Sequence, residues 1–259
     1  MSTRAQAEKL LTSLPKAATK AAEKATNRRS QYSASTRRAL IDVARRLFTS
    51  QGYAGTSLDA IVAGADVTKG ALYHHFSGKQ AVFEAVFEKV EDDASSRIRR
   101  ALRRSRDPWE KAAAGLEEFL KVVQTPSYQR VVILEGPAVL GYERFRERQE
   151  GSSYGLVQEI VRTVLSASTW ELSDDMTDTF SRIFFGAMSA AGESISEADD
   201  PKLAVARVEA ALSFILAGLR SLADNGIELD EPVGAGGSED HEDAEAEDDE
   251  FDETEAADV

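Results

Sequence analysis

The chain has no cysteine among its 259 residues, which excludes a disulfide framework and any thiolate metal site. Histidine is nearly as scarce, with only His74, His75 and His241. Neighbours on a helix point about 100° apart, so His74 and His75 cannot converge on one ion, and no metal or other cofactor is expected. Long apolar runs are missing too. Residues 131–134 and 214–219 are the longest, far below the roughly 20 residues that cross a bilayer, and the start of the chain lacks an apolar signal core. A soluble, reducing, cytoplasmic setting without a membrane partner is the expectation. There is no G-x-S-x-G elbow, no glycine-lysine phosphate loop and no H-E-x-x-H. The run Gly151-Ser152-Ser153-Tyr154-Gly155 imitates an elbow, but no strand pattern precedes it and no histidine is free to serve it, so no enzyme is expected. No segment alternates with the period of a strand and no stretch repeats, which leaves an all-α fold.

What the chain does have is sorted charge. The formal net charge is −14, yet residues 226–259 hold sixteen acidic side chains and no lysine or arginine. Residues 1–34 carry seven basic and two acidic groups, and residues 35–106 thirteen basic and eight acidic. An acidic total argues against nucleic-acid binding only when it is evenly spread, and here it is not.

The rest is organised around residues 56–79, TSLDAIVAGADVTKGALYHHFSGK. Leu58, Ile61 and Val62 repeat at helical spacing after a cap at Thr56 or Ser57, and Gly64-Ala65-Asp66 ends that helix. Asp66 marks a corner where φ turns positive, and Val67 points inward as the pin between two helices. Thr68 caps a second helix with Leu72 and Phe76 inside and Lys69, Gly70, Ala71, Tyr73 and His74 outside. This is helix-turn-helix spacing.

The run resembles the DNA-binding domain of tetracycline-repressor-like (TetR family) regulators, matching at Thr56, Ile61, Ala65, Val67, Thr68, Gly70, Leu72, Tyr73, His75, Phe76 and Lys79. It departs at Val62, where a small residue is usual, at Asp66 in place of a glycine, and at Gly78 in place of a Ser or Asn cap. The resemblance implies a DNA-binding set of Thr56, Ser57, Thr68, Lys69, Gly70, Ala71, Tyr73, His74, His75 and Lys79. In it Lys69 and His74 approach base edges, and Gly70 and Ala71 let the backbone come close. Tyr73, His75, Thr56 and Lys79 hold phosphates. It further implies a bacterial cytoplasmic protein, nucleoid-associated when bound, that represses from a double-stranded, near-palindromic operator and is released by a small-molecule effector. The alternative is a constitutive or nucleoid-architectural DNA-binding dimer without inducer.

In chain order, residues 1–34 read as a basic, disordered extension, either simply solvated or serving as an arm whose Lys16, Lys20, Lys24, Arg28 and Arg29 lie along phosphate. Residues 35–106 read as the DNA-binding domain: Leu40, Ala44, Leu47 and Phe48 form the stripe of a first helix ended by Gly52, and a long connecting helix follows Lys79. The arginines between 97 and 106 read as a solvated face or a docking site for the acidic tail. Asp107-Pro108-Trp109-Glu110 is a helix start and opens a helical ligand-binding and dimerisation domain over 107–225, interrupted at Gly136-Pro137. Its aromatic and polarizable residues, Phe119, Tyr142, Tyr154, Trp170, Phe184 and Met188, are the expected lining of a mostly apolar pocket. Its last two helices carry apolar residues nearly all round, including Phe180, Ile183, Ala187, Ala210, Phe214 and Ala217. They either close the monomer core or, as the resemblance implies, form a homodimer interface. Residues 226–259 read as an acidic, disordered tail that is either solubilising or a competitor for the DNA-facing surface.

Overall fold

The computed structural model describes residues 16–168, 170 and 172–227. The rest of the N-terminal extension and nearly all of the acidic tail lie outside the described residues. Among those described there is no strand, no cluster of His, Asp or Glu fit to hold a metal, and no helix long and apolar enough to cross a membrane.

The head consists of α1 (Lys16–Gly55), α2 (Leu58–Gly64) and α3 (Lys69–His75). Helix α1 begins well before Ser35, so residues 16–34 are helical where a disordered extension was expected. The physical reason is compositional: from Lys16 to Gln51 there is neither proline nor glycine, and alanine and lysine dominate the start. With Leu40, Ala44 and Phe48 fully buried, the helix already has its nucleus, and added turns need only propagation. It kinks at Gly52, whose φ of 74° favours glycine. An added Cβ there would also collide with the Arg130 guanidinium and the Glu135 carboxylate.

Ser57 and Thr68 cap α2 and α3, each accepting a hydrogen bond from the backbone N–H three residues on, both 3.1 Å. Asp66 has a positive φ of 52°, the corner conformation its position implied. The departure at Val62 does not hold the first two helices apart. The close approach runs through Gly64, where a Cβ would lie 2.7 Å from Val43 Cγ1.

Helix α4 (Lys79–Leu102) is the spine, about 36 Å long at 1.5 Å per residue. Its cap at Gly78 makes no side-chain hydrogen bond, in keeping with the missing Ser or Asn. Val82, Phe83, Val86, Phe87 and Val90 bury one face against the head. Phe83 meets Phe48 edge-on at 5.2 Å and Tyr53 at 5.3 Å.

The body follows as α5 (Pro108–Val123), a π-helical turn π1 (Tyr128–Leu134), α6 (Gly136–Leu140), α7 (Tyr142–Gln149), a second π turn π2 (Glu150–Tyr154), α8 (Gly155–Leu165), α9 (Asp174–Ser196) and α10 (Pro201–Asp224). Asp107 caps α5 by accepting from the Glu110 N–H at 2.8 Å, with Pro108 in the first turn as its spacing predicted. The Gly136-Pro137 interruption follows π1. Gly136 is needed because a Cβ would press on Phe87 and Phe145, both 3.0 Å away.

The boundary expected between 106 and 107 is a turn rather than a division of cores. Val131, Val132 and Leu140 join the same buried cluster as Phe48, Phe83 and Phe87, and everything described falls within the compact unit Met1–Leu229. Arg45 adds a polar tie, reaching Asp93 at 2.7 Å and Ser127 Oγ at 3.2 Å.

Candidate nucleic-acid interface and effector cavity

The outer side of α3 is built for exposure. Leu72 turns wholly inward, so Lys69, Gly70, Tyr73 and His74 face solvent, with Tyr73 59% exposed. A Cβ on Gly70 would meet nothing nearer than Thr68 Oγ1 at 3.8 Å, so packing within the chain does not require glycine there. Ala71 is half-buried beside it, and Ser57 and Thr68 lie exposed at the two helix starts.

Lys69 Nζ pairs with Asp59 of α2 at 2.7 Å, and that contact raises its pKa, keeping it cationic. Both groups are well exposed, so the pair is readily exchanged for another anion. His75 is half-buried. Burial first, then the neighbouring His74 imidazole and Arg37 guanidinium, lowers its pKa. Lys79 lies with Nζ 4.4 Å from the centre of the Tyr53 ring and 3.4 Å from the Ala54 carbonyl, which holds its charge at the edge of the head.

One residue of the expected set does not belong. Thr56 is 2% exposed, and its hydroxyl donates to the Gly52 carbonyl at 2.8 Å. It locks the kink of α1 and faces inward rather than to solvent. Conversely, Arg37, outside the expected set, lies beside this surface: it is exposed, its guanidinium lies 5.3 Å from the centre of the Phe76 ring, and it faces His75. No local pattern marks it, because its place beside α3 depends on how α1 crosses the motif.

The body encloses a cavity of about 190 Å³ among α4, α5, π1, α8 and α9, with α10 closing one side. Phe119, Phe184 and Met188 line it as expected. Tyr142 does not: it is 71% exposed at the start of α7, its hydroxyl accepting from Arg146, while Phe145 of the same helix faces the cavity. Tyr154 also lies outside the lining, its ring edge-on to Phe185 and its hydroxyl donating to Asp178. Trp170 is buried against Val161 and Leu165 instead, its indole N–H donating to the Ile227 carbonyl at 2.6 Å.

The sequence reading missed Tyr128, Val132 and Ile133 of π1 and Phe145 of α7 as lining residues. The apolar run 131–134 beside Gly136-Pro137 was the available signal. Tyr128 is half-buried, and burial together with the Glu91 carboxylate drives its phenol well above the ordinary range. Glu91 also accepts from Ser153, so a polar cluster borders an otherwise apolar space.

The cavity wall is tied to the head. π1 ends at Glu135, whose carboxylate accepts from the Tyr53 N–H at 2.9 Å and from Arg130 Nε at 3.0 Å. Gln80 donates to the Val139 carbonyl at 2.8 Å, and Arg148 pairs with Glu84 and Glu88 of α4, both 2.8 Å.

Of the expected dimer residues, Ile183 is 63% and Phe214 81% exposed, and Ala210 and Ala217 lie on the same open helix. Ala187 is half-buried. Phe180 differs, packing on Val161, Leu165 and Trp170 inside the body.

Residues 40–86 match the family described as bacterial regulatory proteins, tetR family, and residues 109–219 the tetracyclin repressor-like, C-terminal domain. The HTH-type transcriptional activator FasR of Mycolicibacterium smegmatis is 32% identical over 100 residues, covering 39% of this chain and 46% of FasR. The uncharacterized HTH-type regulator TtgW of Pseudomonas putida is 31% identical over 101 residues, covering 39% of this chain and 75% of TtgW. The chain spans less than half the length of the first curated relatives it matches. A TetR-family regulator from Pectobacterium atrosepticum superposes with a TM-score of 0.64 at 28% identity, over 73% of this chain and 96% of that one. Helix-turn-helix, helical body and these matches agree: the chain belongs to the TetR family of DNA-binding transcriptional regulators.

Proposed function

We propose that the protein is a homodimeric repressor that holds a near-palindromic operator and lets go when a small, largely apolar ligand enters the body cavity. The observation that carries this reading is π1. Tyr128, Val132 and Ile133 line the cavity, and the same segment ends in the Glu135 carboxylate that grips the Tyr53 N–H at the kink of α1. A ligand that needs π1 displaced would favour a form in which the head is differently set, and so shift the population away from operator-bound spacing.

On the DNA side, Lys69 and His74 read base edges, Gly70 and Ala71 admit the backbone, and Ser57, Thr68, Tyr73, His75, Lys79 and Arg37 hold phosphates. Residues 35–106 supply this head and residues 107–225 the ligand and dimer functions, with the shared core as the coupling between them. In the dimer, Ile183, Ala187, Ala210, Phe214 and Ala217 meet a second copy.

Competition against bulk DNA tests the reading against a constitutive architectural role. A regulator prefers one duplex by roughly 10³ or more. Leu116→Trp, which fills the cavity, should then weaken that affinity in the absence of any ligand. Equal affinity for all duplexes, or an operator affinity indifferent to the filled cavity, contradicts the proposal.

A further inference from the structure

A second cavity, of about 310 Å³, opens between the last turns of α4, the first turn of α5 and the middle of α8. It differs from the first in kind. Arg99, Arg103 and Lys111 stand in its walls with Ser105, Thr163 and the Glu159 carboxylate, over an apolar floor of Leu102 and Ile160. The first cavity has no lysine, arginine or histidine among its lining residues.

The two are separated by one layer of side chains. Ile160 lines both. Leu102 Cδ2 and Ile160 Cδ1 lie 2.9 and 3.5 Å from where a Cβ on Gly115 would sit, so the absence of a side chain there is what lets them meet. Ile160, shared by both linings, and Leu102, beside it over Gly115, are flexible side chains at the boundary where an apolar chain from the first cavity would approach the cations.

The cations are available. Arg97, one turn away on another face of α4, is held by Glu118 at 2.9 Å. Arg99, Arg103 and Lys111 form no ion pair among the described residues. The neutral groups are engaged already: Ser105 Oγ donates to Glu110 at 2.6 Å, and Thr163 Oγ1 donates to the Glu159 carbonyl at 2.7 Å. Three cations against the single Glu159 carboxylate leave the lining net positive, and a guanidinium pair suits the planar oxygen edges of a phosphate-class group.

We propose that the two cavities form one site for an amphipathic anion, the apolar part in the first and a phosphate-class headgroup in the second. This rests on the reading of the first cavity as the effector site and adds to it the charge of the ligand.

The test holds the apolar part constant and varies the head. Decyl phosphate, decanol and decyltrimethylammonium, each below its micellar concentration, are titrated into the full chain and followed by the change in tryptophan fluorescence and by calorimetry. Decyl phosphate should bind at least about tenfold more tightly than the other two, as expected for charge-assisted contacts. The double variant Arg103→Glu, Lys111→Glu should bring it to the level of decanol while leaving the decanol Kd and the thermal unfolding midpoint unchanged. Both replaced side chains have exposed or half-exposed positions, so folding should survive. Equal binding of the three, preference for the ammonium compound, or an unchanged decyl phosphate Kd in the folded double variant overturns the inference alone. Failure of all three to bind overturns the effector-site reading beneath it.

Discussion

Helices α3 and α10 both leave one side uncovered, and they differ in what is left there. Helix α3 exposes a lysine, a glycine, a tyrosine hydroxyl and a histidine, while its one large apolar residue, Leu72, is fully buried. Helix α10 has no buried residue at all and exposes Phe214, Ile215, Leu203 and Leu222. A single exposed leucine means little, but several large apolar groups exposed along 24 residues mark a surface suited to a protein partner. Small, polar and cationic groups on a seven-residue helix suit a charged, hydrated groove instead. Helix α3 bears the side proposed for DNA, and α10 the side proposed for another copy of the chain.

Breaking the α10 side should have the largest effect. Phe214→Asp combined with Ile183→Asp places charges in the proposed interface. Sedimentation equilibrium should then report a monomer, and operator affinity should fall by roughly 10²–10⁴, the loss expected when two tethered half-site contacts become independent. An intact dimer with full affinity would reassign α10 to another role. On the α3 side, Lys69→Ala should leave the mass unchanged and reduce preference at particular base pairs by roughly ten- to a hundredfold, read from binding to a panel of single-base variants. Lys79→Ala should be milder and uniform, weakening every sequence alike and lowering the slope of log affinity against log salt by about one unit.

The smallest effect concerns pH. Burial first, then the adjacent His74 and Arg37, hold the His75 pKa below its ordinary value of 6.5. The unfolded chain therefore takes up a proton that the folded chain resists, and stability from neutral His75, complete above that pH, declines as pH falls through it. Urea unfolding at pH 7.5 and 5.5 should show a smaller acid loss in His75→Gln than in the unaltered chain.

The helix starts and the turn of the motif were legible because their signals are local. Caps at Ser57, Thr68 and Asp107, the turn at Asp66 and the inward Leu72 each depend on residues within one or two helical turns. The errors came from contacts distant in sequence. Thr56 sits at the right place in the motif, yet the kink at Gly52 draws its hydroxyl inward, and that kink is fixed by Glu135 from the body. Tyr142 and Tyr154 are as aromatic as Phe119 and Phe184, and only the packing of α7 on the core through Phe145 and the partner at Asp178 decide that they face elsewhere. Helical periodicity shows that a residue is on an inner or outer side, not which space it borders. The shared core of head and body was hidden for the same reason: Val131 and Val132 read as part of one domain and pack into the cluster of the other.

The most direct measurement is selection of duplexes from a random pool by the full chain, followed by hydroxyl-radical footprinting on the winner. The account predicts a near-palindrome protected in two patches on one face, their centres about 34–36 Å or a multiple of that apart. Each patch should vanish from its specific base pairs in Lys69→Ala. A pool that yields no preferred sequence, or a single unpaired patch indifferent to Lys69, would contradict it.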